Sequence, residues 1–251
     1  MFNAELETNK IVEFIRDYYR KNNLEGVVIG ISGGKDSAIV AALFTKALGK
    51  DKVIGVTLPC HSKEEDRHDA KFLSDYYGFR LYNIDLTEMF DAFKNNLQDF
   101  GKLTEDDVRE SDINLKSRLR MSSLYYVARL ISDIHKKVYL VAGTSNKSEL
   151  FVGYFTKGGD SVHDIAVLAD FHVSEAIKIG EYLQVPEKIL YKTPSDGLSG
   201  KSDEEKMQVS YEDIEKYETN QGSISTKSRM KIKKMHETSF HKFNIPTYRR
   251  K

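Results

Sequence analysis

The octapeptide Gly30-Ile31-Ser32-Gly33-Gly34-Lys35-Asp36-Ser37 places backbone amides, two hydroxyls, an ammonium and a carboxylate side by side. Upstream, Val27-Val28-Ile29 is an apolar, β-branched run, and downstream Ala38 to Leu48 is compatible with a helix. The segment therefore reads as strand, tight loop and helix N-terminus. Glycines at 30, 33 and 34 permit positive φ and close approach of a ligand, and the first helical N–H groups face whatever the loop holds. An anion is the natural occupant. Ser32 and Ser37 add donors and Lys35 adds a cation, whereas Asp36 repels phosphate unless a divalent cation stands between them. The loop thus predicts phosphate together with Mg2+. The nucleotide-binding loop G-x-x-x-x-G-K-[ST] is excluded, because three residues separate Gly30 from Gly34 and Asp36 replaces the metal-binding hydroxyl. The dinucleotide pattern G-x-G-x-x-G fails as well, since position 32 is serine.

Elements that could hold this loop are legible around it. Ile11, Phe14, Ile15, Tyr18 and Tyr19 recur at helical spacing and predict an amphipathic helix. Strands over Val27 to Ile31, Val53 to Leu58 and Phe79 to Ile84 alternate with helices over Asp36 to Leu48 and Glu64 to Tyr77. This βαβαβ order predicts an α/β fold with a doubly wound parallel sheet flanked by helices, in which ligands bind beyond the carboxyl ends of the strands. A long helix over Asn114 to His135 reads as a spine or subunit contact. The buried strand Val138 to Gly143 then ends in Thr144-Ser145-Asn146-Lys147-Ser148-Glu149. Phe155 to Asp164 has two glycines, two aspartates and little periodicity, and reads as a functional loop. Thr193 to Ser202 reads as a second loop, a lid.

Composition narrows the classes. At 251 residues the chain is read as one domain, 1–251, and its 38 basic residues balance 38 acidic ones. No apolar run approaches bilayer length, and Met1 to Glu5 lacks the order of a signal peptide, so a cytoplasmic protein with no membrane partner is expected. The single cysteine, Cys60, excludes a disulfide framework and a four-cysteine zinc site. His61 beside it makes no catalytic pair, because adjacent residues in extended chain point to opposite sides. From Ser225 onward nine lysines and arginines face one acid, Glu237. The bland reading of that tail is a solvated helix face and the sharper one a tail closing on an anionic ligand. Nucleic-acid binding trails both, as no nucleic-acid module accompanies it.

The S-G-G-x-D-S loop resembles that of the ATP pyrophosphatases, and further motifs narrow the resemblance. Arg118-Leu119-Arg120-Met121, Gly143 to Leu150, Gly153 to Asp160, Pro194 to Leu198, Ser202-Asp203-Glu204-Glu205, Tyr211 to Ile214 and His241-Lys242 occur in order. Together they are similar to the ammonia-dependent NAD synthetases of the N-type ATP pyrophosphatase superfamily, over about residues 10 to 250. The resemblance implies a Rossmann-like (adenine nucleotide alpha hydrolase-like) sheet and a two-step amidation. The carboxylate of nicotinic acid adenine dinucleotide attacks the α-phosphorus of ATP, pyrophosphate leaves, and ammonia displaces AMP from the acyl adenylate to give NAD. It implies ATP contacts from Gly30, Ile31, Ser32, Gly33, Gly34, Lys35, Asp36, Ser37, Thr144 and Ser195. It assigns Mg2+ to Asp36 and Glu149, the dinucleotide to Arg118, Lys157, Asp164, His241 and Lys242, and ammonium binding or deprotonation to Asp160. It further implies a homodimer. Plainer roles compete with these: helix cap or surface acid for Asp36 and Glu149, turn residue for Asp160 and Asp164. His163 and His172 are read as local hydrogen-bonders.

In one place the chain departs from the family. A lysine that often contacts ATP phosphate is replaced by Val173, within Phe171-His172-Val173-Ser174. Lys35, Lys178 and Lys201 are the candidates to compensate. The rival enzyme is another ATP pyrophosphatase, a tRNA-modifying or nucleotide-amidating ligase; the missing cysteine pair, neutral charge and lack of an RNA-binding domain weigh against it. A non-catalytic nucleotide sensor would not need Asp36, Glu149 and Asp160 together. No segment is left for a glutaminase domain, so free ammonia is the expected nitrogen source.

Overall fold

The structure, a computed structural model, describes residues 2–62, 64–97, 104–193 and 202–250. Helix α1 (Ala4–Lys21) leads into β1 (Leu24–Gly30) and α2 (Lys35–Leu48), followed by β2 (Val53–Thr57), α3 (Glu64–Tyr77) and β3 (Arg80–Asn83). Next come α4 (Thr87–Asn95), the long α5 (Glu105–His135), β4 (Val138–Gly143), α6 (Lys147–Val152) and β5 (Ile165–Ala166). Helices α7 (Val173–Tyr182), α8 (Glu187–Leu190), α9 (Asp203–Met207), α10 (Tyr211–Thr219) and α11 (Thr226–Phe243) follow.

All five strands are parallel, in the order β3-β2-β1-β4-β5. Side chains alternate across β1: Val27, Ile29 and Ile31 enter one apolar cluster with α1, α2 and α7, whereas Val28 joins Ile54, Val56 and Val141 on the other face. That second face is covered by Leu86, Phe90 and the Val127, Ala128 and Ile131 side of α5. The sheet is thus buried on both faces, as its unbroken apolar strands require. Cys60, just beyond β2, is buried here too. A third cluster joins Val152, Val173, Met207, Val209, Tyr211, Ile214 and Ile232, so α6, α7, α9, α10 and α11 pack together beside the sheet.

Local chemistry explains the boundaries. Asn3 caps α1 by accepting from Leu6 N at 3.0 Å, acids Glu5 and Glu7 sit in its first turn, and Arg20 and Lys21 sit in its last. Of its predicted apolar stripe, Ile11, Ile15 and Tyr19 are buried, while Phe14 and Tyr18 stack on each other at the surface. Similarly, Leu130 and Ile134 of α5 are exposed together with Tyr126. The strand order reverses at β1, which has β2 on one side and β4 on the other. A crevice therefore opens between the carboxyl ends of β1 and β4.

Candidate active site

The loop after β1 is shaped by its own hydroxyls. Gly34 N donates to Ser32 Oγ at 3.2 Å, and Ser37 Oγ donates to Gly34 O at 3.0 Å and lies 3.2 Å from Ser32 Oγ. Gly33 has φ +80°, and a Cβ there would stand 2.7 Å from Asp66 O, so this position demands glycine. Lys35 opens α2 and is only 5% exposed, with Nζ 3.1 Å from Asp36 Oδ2 and 5.6 Å from the centre of the Tyr211 ring. Burial pushes its pKa down, yet the carboxylates of Asp36, Glu149 and Asp203 outweigh this and hold it above the usual lysine value. Asp36 Oδ1 is buried and has no hydrogen-bond partner among the described residues.

Glu149 enters from the loop after β4. Asn146 Oδ1 accepts from Glu149 N at 3.1 Å, and Glu149 Oε2 accepts from Asn146 N at 3.2 Å, a reciprocal cap on α6. The helix-cap role is therefore real, but it occupies one oxygen. The other, Oε1, accepts from the Tyr211 hydroxyl at 3.4 Å. Burial first, and the Asp36 charge second, push Glu149 up to about 8 against the pull of Lys35. The same Tyr211 hydroxyl is 3.4 Å from Asp203 Oδ2, and Tyr154 donates to Asp203 Oδ1 at 3.1 Å.

Across the crevice, Asp160 Oδ1 accepts from Ser117 Oγ at 2.7 Å and from Thr156 N at 2.9 Å. Thr156 Oγ1 in turn donates to Asn114 Oδ1 at 2.8 Å, a second tie between this loop and α5. Arg118 donates through Nε and Nη2 to Lys157 O, both at 3.3 Å, and Lys157 Nζ reaches His241 O at 2.7 Å. Lys242 Nζ donates to Gly153 O and Phe155 O at 2.7 and 2.6 Å, and burial pulls its pKa down.

These groups share one cavity of about 930 Å3. Its walls include the Gly30 to Ser37 loop apart from Gly33, and Thr144, Glu149, Arg118, Lys157, Asp160, His241 and Lys242. Asp164, assigned to the dinucleotide by resemblance, does not line the cavity either: it accepts from Tyr125 Oη at 3.0 Å and from Val141 N at 2.8 Å. Ser195 and Lys201 lie outside the described residues. Val173 is buried in the third apolar cluster, and Lys178 lies over the Phe2 ring at 5.9 Å. His163 lines the cavity, whereas His172 is buried, with Nδ1 3.0 Å from Ser148 Oγ and Nε2 2.6 Å from Glu218 Oε2. Ser117, Tyr154, Asp203 and Tyr211 have no role assigned from sequence, though Tyr154, Asp203 and Tyr211 fall in quoted motifs.

The donor set fits Mg2+. Asp36 and Glu149 supply hard carboxylate oxygens, one of them a buried acceptor without a donor. Among the described residues no group of three or more His, Cys, Asp or Glu is disposed to cage a metal. That suits an ion held by one or two carboxylates with substrate phosphates completing its shell.

The family model described as NAD synthase matches residues 7–246. The chain is 37% identical over 246 residues to the NH(3)-dependent NAD(+) synthetase of Carboxydothermus hydrogenoformans, covering 97% of both chains. With that of Methanocaldococcus jannaschii it shares 40% over 213 residues, 82% of this chain and 77% of the relative. Among solved structures, the NMN synthetase from Francisella tularensis superposes with a TM-score of 0.88 at 33% identity, covering 99% of each chain. The NH3-dependent NAD synthetase from Campylobacter jejuni, in complex with the nitrate ion, gives 0.80 at 27% identity, covering each chain fully.

Proposed function

The chain belongs to the NAD synthase family, and from that premise we propose how its residues share the work of making NAD. The enzyme amidates nicotinic acid adenine dinucleotide with ammonia, using ATP and releasing AMP and pyrophosphate. A carboxylate resists a neutral amine, whereas its anhydride with AMP carries a good leaving group. Catalysis is then chiefly alignment and neutralisation of phosphate charge.

The observation that carries this reading is the meeting of the two loops after β1 and β4, with Asp160 facing them across one cavity. The Gly30 to Ser37 loop and the N-terminus of α2 cradle the ATP phosphates, with Thr144 at the cavity wall and Ser195 as a further ATP contact. Asp36 and Glu149 hold Mg2+, which when bound neutralises the departing pyrophosphate. Arg118, Lys157, His241 and Lys242 fix the dinucleotide, and Asp164 acts through Tyr125 and β4. Asp160 accepts the proton that ammonium must lose before nitrogen attacks. Exposed Tyr126, Leu130 and Ile134 on α5 support a homodimer built along that helix. Among the described residues no helix is long and apolar enough to cross a membrane, and we place the enzyme in the cytoplasm, where ATP and the dinucleotide meet.

The likeness to an NMN synthetase favours one second reading, amidation of the corresponding mononucleotide. One experiment separates them. The protein is incubated with ATP, Mg2+, ammonium and either nicotinic acid adenine dinucleotide or nicotinic acid mononucleotide. Faster formation of NAD with equimolar AMP is expected, a higher kcat/KM for the mononucleotide would establish the second reading, and no amide from either would refute both.

A further inference from the structure

Resting on the assignment of Asp36 and Glu149 to Mg2+, we propose that Lys35 is the resident counter-cation of that site. In the metal-free chain its ammonium holds the carboxylates of Asp36, Glu149 and Asp203 together, and Mg2+ displaces it toward the phosphates of ATP.

Lys35 lines the cavity, yet its side chain is already engaged there. It is 5% exposed, and a lysine so deeply buried needs charge partners. Its Nζ lies 3.1 Å from Asp36 Oδ2 and 5.6 Å from the Tyr211 ring centre, within cation–π range. Tyr211 reaches past it, its hydroxyl 3.4 Å from both Glu149 Oε1 and Asp203 Oδ2. The ammonium is paired with Asp36 on α2 and feels the charges of Glu149 on α6 and Asp203 on α9, which Tyr211 bridges. A divalent ion held by Asp36 would repel the ammonium paired with the same carboxylate, and the lysine would be released.

The test measures Mn2+ binding to the whole protein without ATP, from the electron paramagnetic resonance of free Mn2+. Lys35→Met is expected to bind Mn2+ about tenfold more tightly than wild type, because a positive charge close to the ion is removed. Its melting temperature is expected to drop without metal and to recover with Mn2+, while Lys35→Arg keeps the weaker binding. Equal Mn2+ affinity in wild type and Lys35→Met, with only KM for ATP raised in the variant, overturns the counter-cation role and leaves the metal assignment intact. No Mn2+ binding by either protein without ATP overturns this inference, and none in the presence of a non-hydrolysable ATP analogue overturns the metal assignment with it. A measurement on wild type covers a variant that fails to fold. Acylation of the Lys35 amine by an N-hydroxysuccinimide ester, followed by peptide mass spectrometry, should rise severalfold on saturating the protein with Mn2+ in the absence of ATP, because the displaced amine then has no phosphate to pair with. An unchanged yield overturns the proposal.

Discussion

Ser117 and Asp160, 43 residues apart, exchange hydrogen bonds: the serine hydroxyl donates to Oδ1 at 2.7 Å and accepts from the aspartate's own N–H at 3.1 Å. A loop is thereby pinned to the middle of α5, and its carboxylate is aimed rather than merely present. Ser117→Ala should lower kcat about tenfold, the loss of one aligning hydrogen bond to a charged group, with KM for ATP unchanged. Asp160→Asn should cost about a hundredfold or more in amide formation while pyrophosphate release on mixing ATP with the dinucleotide persists. Following both products in a rapid-quench experiment decides this; equal loss of the two would place Asp160 in substrate binding instead.

Gly153 ends α6 in the left-handed region at φ +68°, and a Cβ there would come 2.0 Å from Ser239 Cβ on α11. Gly153→Ala should therefore destabilise the fold by about 3 kcal/mol, combining backbone strain with a clash. Urea denaturation reads the change. Ser239→Gly in the same chain should restore part of it, since the two positions share one contact.

Tyr125 gives a pH signature. Burial, reinforced by its hydrogen bond to Asp164, pushes its phenol up to about 12. An unfolded tyrosine ionises near 10, so between about 10 and about 12 the folded chain keeps a proton that the unfolded chain has lost. This contribution to stability is complete below about pH 10 and disappears as the pH rises through about 12. Tyr125→Phe should accordingly lose stability less steeply than wild type across that range, as followed by chemical denaturation at successive pH values.

Cys60 should be dispensable for chemistry. It is fully buried beyond β2, its Sγ 3.9 Å from Leu86 O, and burial pushes its thiol up, away from a reactive thiolate. Cys60→Ser is expected to keep kcat within about twofold, with a small stability loss from placing a hydroxyl in an apolar cluster. Native wild-type protein should resist iodoacetamide, and rapid labelling without unfolding would contradict the burial argument.

The parallel sheet was legible because its central strands are buried on both faces and read as unbroken apolar runs. Glu64–Tyr77 and Val138–Gly143 fall where the periodicity puts them. Strand β5 was not legible, since two residues, Ile165 and Ala166, carry no period and gain strand geometry only by pairing with Ala142 and Gly143. The site divides in the same way. Asp36, Glu149 and Asp160 announce themselves as acids in glycine-rich or strand-ending loops. Ser117 and Tyr211 do not, because a serine inside a helix and a tyrosine at a helix start look like ordinary surface and core residues until the fold sets them against a carboxylate. Val173, which stands where the family often has a phosphate-contacting lysine, belongs to an apolar cluster.

Lys157 and Lys242 each place an ammonium on the other segment's backbone, one on His241 O and the other on Gly153 O and Phe155 O. The Asp160 loop and the end of α11 are in this sense a single mechanical part. Removing Lys242 or His241 from the far end of the chain would therefore loosen the segment that carries Asp160. Engineering that needs an attachment point should therefore use the N-terminus, where α1 packs with α2, α7 and β1 rather than with this segment.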